Sequence, residues 1–97
     1  MQIIAKRTLR EFWETHPQAE GPLRAWYALV DKATWTGPAD VKAMFRSADF
    51  VADNRVIFDI GGNKYRLVVM VAYRFQRVLV KFIGTHAEYD RINPETV

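Results

Sequence analysis

Between Arg55 and Thr85 the chain alternates with a period of two, which admits extended strands and excludes helices. Tyr65, Leu67, Val69, Val71 and Tyr73 form a wholly apolar or aromatic row. Lys64, Arg66, Val68, Met70, Ala72 and Arg74 form the row opposite. In the preceding strand Val56, Phe58 and Ile60 oppose Arg55, Ile57 and Asp59. In the following strand Val78, Val80 and Phe82 oppose Arg77, Leu79, Lys81 and Ile83. Gly61-Gly62-Asn63 separates the first two strands and is rich in residues that tolerate positive φ. Arg74-Phe75-Gln76 makes the second connection. These signals predict an antiparallel meander of three or four strands with one continuously apolar face, which needs a cover.

The first half of the chain supplies that cover. Met1 to Ala5 reads as a short opening strand. Thr8-Leu9-Arg10-Glu11 has the pattern of a capping box. Leu9, Phe12, Trp13 and His16 then fall on one helical face, and His16-Pro17 ends the helix. Gly21-Pro22 opens a second helix striped by Leu23, Trp26, Tyr27 and Val30. Thr36-Gly37-Pro38 breaks the pattern. Pro38 to Phe45 suits one or two helical turns, and Ser47 to Val51 a short strand or an irregular link. The fold class is α+β, with a β-α-α order before the meander.

A length of 97 residues allows one domain, residues 1–97, and leaves no room for a second core. The absence of cysteine removes disulfides, thiolate catalysis and Cys-type zinc sites. Two isolated histidines argue against a His-based metal site, so neither metal nor other cofactor is expected. The N-terminus lacks the long apolar stretch of a signal peptide. The longest apolar run, Leu67 to Tyr73, is far short of the ~20 residues that span a bilayer. The expectation is a soluble, cytoplasmic protein with no membrane partner.

The net charge of +3 is unevenly placed. Residues 1–54 carry seven basic and seven acidic side chains. Residues 55–81 carry six basic ones (Arg55, Lys64, Arg66, Arg74, Arg77, Lys81) against Asp59 alone. A merely solvated surface usually mixes signs, whereas a phosphate-binding surface concentrates cations. After the last strand, Thr85-His86-Ala87-Glu88-Tyr89-Asp90-Arg91 places His86, Tyr89 and Asp90 on one side of a helical turn. Histidine suits acid/base work near neutral pH. Trp13, Trp26 and Trp35 read as core or partner-facing residues rather than a base-stacking platform.

Gly61-Gly62-Asn63 with Tyr65-Arg66-Leu67-Val68, and Thr85-His86-Ala87-Glu88-Tyr89-Asp90 after the last strand, resemble the HigB toxins of bacterial toxin–antitoxin systems. The opening strand and the Pro38–Phe45 segment also fit. The resemblance implies a RelE/ParE-like fold, two N-terminal helices packed on a twisted, mainly antiparallel sheet. It implies an endoribonuclease (mRNA interferase) acting on transcripts at the ribosome. It further implies a HigA-type helix-turn-helix antitoxin, and operator DNA bound only through that complex. The family motif carries over to Asn63, Arg66, His86, Tyr89 and Asp90. On this reading Arg66 and Lys81 stabilise transition-state charge, since their rows face the same side of neighbouring strands. His86 is the acid/base, Tyr89 stacks on a base or shares proton transfer, and Asp90 orients His86. Asn63, Lys64, Arg74 and Arg77 bind RNA, the two arginines on its backbone away from the chemistry. The alternatives are a ParE-like gyrase-binding toxin and a non-catalytic RNA-binding module.

Overall fold

A computed structural model describes all 97 residues. The elements are β1 (Gln2–Ile4), α1 (Lys6–Thr15), α2 (Glu20–Asp31), α3 (Pro38–Met44), β2 (Asp49–Val51), β3 (Arg55–Ile60), β4 (Tyr65–Ala72), β5 (Arg77–Thr85) and α4 (His86–Tyr89). One 3₁₀ turn, Pro17–Ala19, precedes α2; another, Tyr73–Phe75, links β4 to β5. The sheet has five strands in the order β1-β5-β4-β3-β2. The meander is antiparallel, but β1 lies parallel to β5, pairing Ile3 with Val78. Such a parallel pair needs a long crossover, and the whole of α1 to β4 supplies it.

The apolar row of the meander packs against α1 and α2 as its period requires. Leu9 and Trp13 of α1, and Leu23, Trp26 and Val30 of α2, join Val56, Phe58, Leu67, Val69, Val71 and Val78 in one core cluster. Phe58 sits at its centre, with Trp26, Trp35 and Phe45 rings 5.5, 6.4 and 5.0 Å away. The Met1 nitrogen donates to the carbonyls of Val30, Asp31 and Ala33, tying β1 to the end of α2. Gly61 and Gly62 both adopt positive φ, at 64° and 73°, in the β3–β4 turn. A side chain at either would be strained.

Two expectations about this region fail. Thr8 does not cap α1: the helix begins at Lys6 with Ala5 at its N-cap, so Thr8 lies within the first turn. Glu11 pairs with Arg7 at 2.7 Å instead. Four residues apart on an exposed helix face, the two charges meet without any backbone rearrangement. The alternation in β5 also breaks. Val80 pairs with Val69 but Phe82 pairs with Val68, so Lys81 is the extra residue of a β-bulge. A one-residue slip exchanges the faces of all that follows. Ile83 therefore turns to the core, where it packs, and Phe82 turns to the opposite face.

That opposite face is only partly open. Ile57 and Val68 lie on it and are buried, though they belong to no part of the main core cluster. The chain beyond β5 reaches back over it: an Arg55 guanidinium nitrogen donates to the Val97 carbonyl at 2.8 Å, and Tyr89 meets Phe82. No helix is long and apolar enough to cross a membrane.

Candidate active site

At the Gly61–Asn63 end of this second face, β4, β5 and α4 bring Arg66, Tyr89, His86 and Asp90 together. Thr85 and Glu88 fix α4. The Thr85 backbone N–H donates to the Glu88 carboxylate at 2.8 Å, and the Glu88 N–H donates to the Thr85 hydroxyl at 3.2 Å. This is the capping box expected near Thr8, formed instead at the C-terminal helix. The His86 N–H donates to the Lys64 carbonyl at 3.2 Å and locks α4 to the start of β4. The Thr85 N–H holds the Glu88 carboxyl below its ordinary pKa. A carboxylate with a depressed folded pKa stabilises the fold above its unfolded pKa and ceases to do so as pH falls through the folded value. Amide protection at Thr85 should therefore fall in acid at that lower pH, and Glu88→Gln should abolish the transition. Protection that ignores pH in the wild type would contradict the role of the box.

His86 Nδ1 lies 3.4 Å from Asp90 Oδ2, with the His86 side chain 49% exposed. The one-turn spacing read from the sequence thus holds, and the imidazole is open to a ligand. Arg66 is the opposite case: its side chain is 14% exposed. It bonds Asp59 directly across the β3–β4 ladder at 3.1 Å. Its guanidinium carbon lies 5.9 Å from the centre of the Tyr89 ring, a cation–π distance. Burial raises the Tyr89 phenol pKa above its ordinary value. Arg66 opposes this, while Asp49, Asp90 and Asp59 add to it. Tyr89 therefore stays protonated at neutral pH, able to donate a proton but not to take one.

The surroundings are less purely cationic than the 55–81 charge count suggests. Asp49 and Asp90 come from outside that segment and, with Asp59, put carboxylates around the Arg66–Tyr89 pair. Counting charge along the chain cannot register acids that the fold imports. Lys81 stands apart. The register pairs Arg66 with Gly84, three residues beyond Lys81, and no hydrogen bond or ion pair ties the exposed Lys81 to the cluster. The parity that put Arg66 and Lys81 side by side ends at the bulge.

Asn63 and Lys64 are exposed in the turn beside the cluster, and Lys64 Nζ bonds the Gln18 side chain at 3.1 Å. Arg74 and Arg77 are exposed at the far end of β4 and β5. Reading the sequence alone missed Asp59, Phe82 and Gly84. Asp59 carried a signal as the lone acid of its segment. Gly84 carried one too, since a strand glycine marks close approach. The Phe82 ring folds onto Gly84, where any Cβ would collide with it. Phe82 then lies 6.5 Å from Tyr89 and walls the site.

A family model described as HigB toxin, the RelE-like toxic component of a toxin–antitoxin system, matches residues 19–92. The chain belongs to the HigB toxin family. It is 33% identical to the mRNA interferase toxin HigB of Escherichia coli (strain K12) over 92 residues, covering 93% of this chain and 88% of that protein. The same identity and coverage hold for mRNA interferase HigB of Shigella flexneri. The mRNA interferase HigB of Escherichia coli O6:H1 is 29% identical over 94 residues, covering 95% of this chain and 91% of that one. The arrangement of helices on a mixed open sheet agrees with a RelE-like toxin. As the toxic component of such a system, this HigB-family chain has an antitoxin partner. Its matched span takes in β3, β4, β5 and α4, and so the whole Arg66–His86–Tyr89–Asp90 cluster.

Proposed function

We propose that this toxin is an mRNA interferase that cuts RNA at the α4 site through the RNA's own 2′-hydroxyl. The observation that carries the reading is the pairing of an open His86–Asp90 couple with a fixed, part-buried Arg66 under the Tyr89 ring. His86 takes the 2′-OH proton, and Asp90 orients the ring. The 2′-oxygen attacks the adjacent phosphorus, and the bond to the 5′-oxygen breaks. A 2′,3′-cyclic phosphate and a 5′-hydroxyl result. Arg66 stabilises the phosphorane charge: Asp59 and, at 3.5 Å, the Tyr65 carbonyl engage Nη1, which leaves Nε and Nη2 for phosphate. Tyr89, kept protonated, offers a stacking surface and a proton for the leaving oxygen.

The same reading places the reaction in the cytoplasm, on transcripts held by ribosomes, with a HigA-type helix-turn-helix antitoxin as the silencing partner. The antitoxin complex, and not the toxin itself, meets operator DNA. Asn63, Lys64, Lys81, Arg74 and Arg77 provide contacts to RNA beyond the reacting phosphate. The relatives named mRNA interferase support RNA, rather than gyrase, as the target.

Arg66→Gln tests the site. Removing one transition-state donor typically lowers kcat about 10²–10³-fold. Growth arrest on expression without antitoxin should therefore be relieved. Glutamine is the better choice than alanine because it retains a donor for Asp59, whose side chain is only 27% exposed. A soluble variant with an unchanged melting temperature and full toxicity would remove Arg66 from the chemistry.

A further inference from the structure

The far end of the sheet presents a feature that the cleavage site does not use. Phe75, at the tip of the β4–β5 connection, is 65% exposed, more than any other large apolar residue. The Arg74 guanidinium carbon lies 5.8 Å from its ring centre. Gln76 ties the tip down. Gln76 adopts a left-handed backbone conformation, φ 55°. Its side-chain amide donates to the Trp35 carbonyl at 2.7 Å and to the Tyr73 carbonyl at 2.8 Å. A non-glycine residue held there marks a place where the fold over-determines the chain. Gln76 anchors the loop to the core side while its neighbour Phe75 is turned out to solvent.

Arg77 follows, exposed, and pairs with Ala72 on the same sheet face as Arg66. Between Arg77 and the α4 cluster stands the exposed Lys81 at its bulge. Exposed cations therefore run along β5 from the tip toward the active site. From Arg66 to Ala72 is six residues, or roughly 20 Å at strand rise, and the 3₁₀ turn sets Phe75 beyond that. A flat aromatic face flanked by cations is what holds an unstacked base while the phosphates on either side are neutralised.

We propose that Phe75, with Arg74 and Arg77, is a stacking site for an unpaired base of the single-stranded RNA substrate, several nucleotides from the cut. It rests on the reading above that this chain binds RNA. The site sets affinity and the path of the RNA, and takes no part in bond breaking.

The test is binding of a fluorescent single-stranded RNA with methylated 2′-hydroxyls to wild type and to Phe75→Ala, Phe75→Leu and Phe75→Trp. Phe75→Ala and Phe75→Leu should weaken binding roughly 5- to 150-fold. Phe75→Trp should match or exceed wild type. Phe75→Ala should leave the salt dependence unchanged, whereas Arg77→Gln should reduce its slope by about 0.7. Unaltered affinity of Phe75→Ala would overturn the proposal, as would full affinity of Phe75→Leu. Loss of antitoxin binding with RNA affinity intact would assign the tip to a protein contact and equally overturn it. Scission of the methylated RNA counts against the cleavage mechanism alone. No binding by wild type to this RNA, either free or held on ribosomes, overturns both.

Discussion

His86→Ala should lower the rate of RNA cleavage by about 10²–10⁴-fold, the usual contribution of a positioned acid/base group. RNA affinity should hardly change, because one imidazole adds little to an interface made with several phosphates. The structure makes the test clean. His86 lies in the first turn of α4, half exposed, and the polar partner of its side chain is Asp90. The α4 capping box and the His86 backbone bond to Lys64 survive the substitution. Single-turnover cleavage beside a binding titration separates the two effects. A variant that cuts at the normal rate would move the base to a water held by Asp90. Tyr89 would not inherit the role, since burial keeps its phenol protonated.

An RNA carrying a 2′-O-methyl or 2′-deoxy group at the cut nucleotide should remain intact, and this loss should be complete rather than graded. The proposed reaction takes its nucleophile from the substrate, so no side chain replaces the missing hydroxyl. The residues fit such a division of labour: the cluster supplies a proton acceptor, a protonated phenol and a fixed cation. The unmodified control should give a fragment ending in a 2′,3′-cyclic phosphate. Scission of the 2′-O-methyl transcript would sink the mechanism, whichever residues prove to act.

Much of the candidate site's geometry was legible because its parts are close in sequence. His86, Tyr89 and Asp90 lie within one helical turn, so spacing alone brought them to one side. Arg66 was placed on the correct face by the period of β4. Lys81 shows where that reasoning stops. Alternation is reliable only while a strand stays in register, and nothing in Val78-Leu79-Val80-Lys81-Phe82 announces a bulge. The slip at Lys81 moved Phe82 from the core to the wall of the site. It also left Lys81 as the unpaired residue of β5.

The same contrast runs through the helices. The stripes of α1 and α2 are statements about burial, and burial repeats at the helical period whatever the rest of the chain does. The capping motifs are local patterns that two segments offered equally. Thr8-Leu9-Arg10-Glu11 and Thr85-His86-Ala87-Glu88 have the same spacing. The chain uses the second, because α1 begins at Lys6, directly after β1.

By itself, then, the sequence determined the class of fold, the apolar face of the meander and the composition of the α4 turn. Each of these depends on period or on residues a few positions apart. Tertiary structure alone decided how Arg66 is held. Asp59 reaches it across the ladder, and Asp49 and Asp90 act with Asp59 on the neighbouring Tyr89 phenol. It also set β1 beside β5 and left Phe75 standing out from the sheet. Charges and rings distant in sequence interact through space, and their distances exist only once the sheet has closed on its helices.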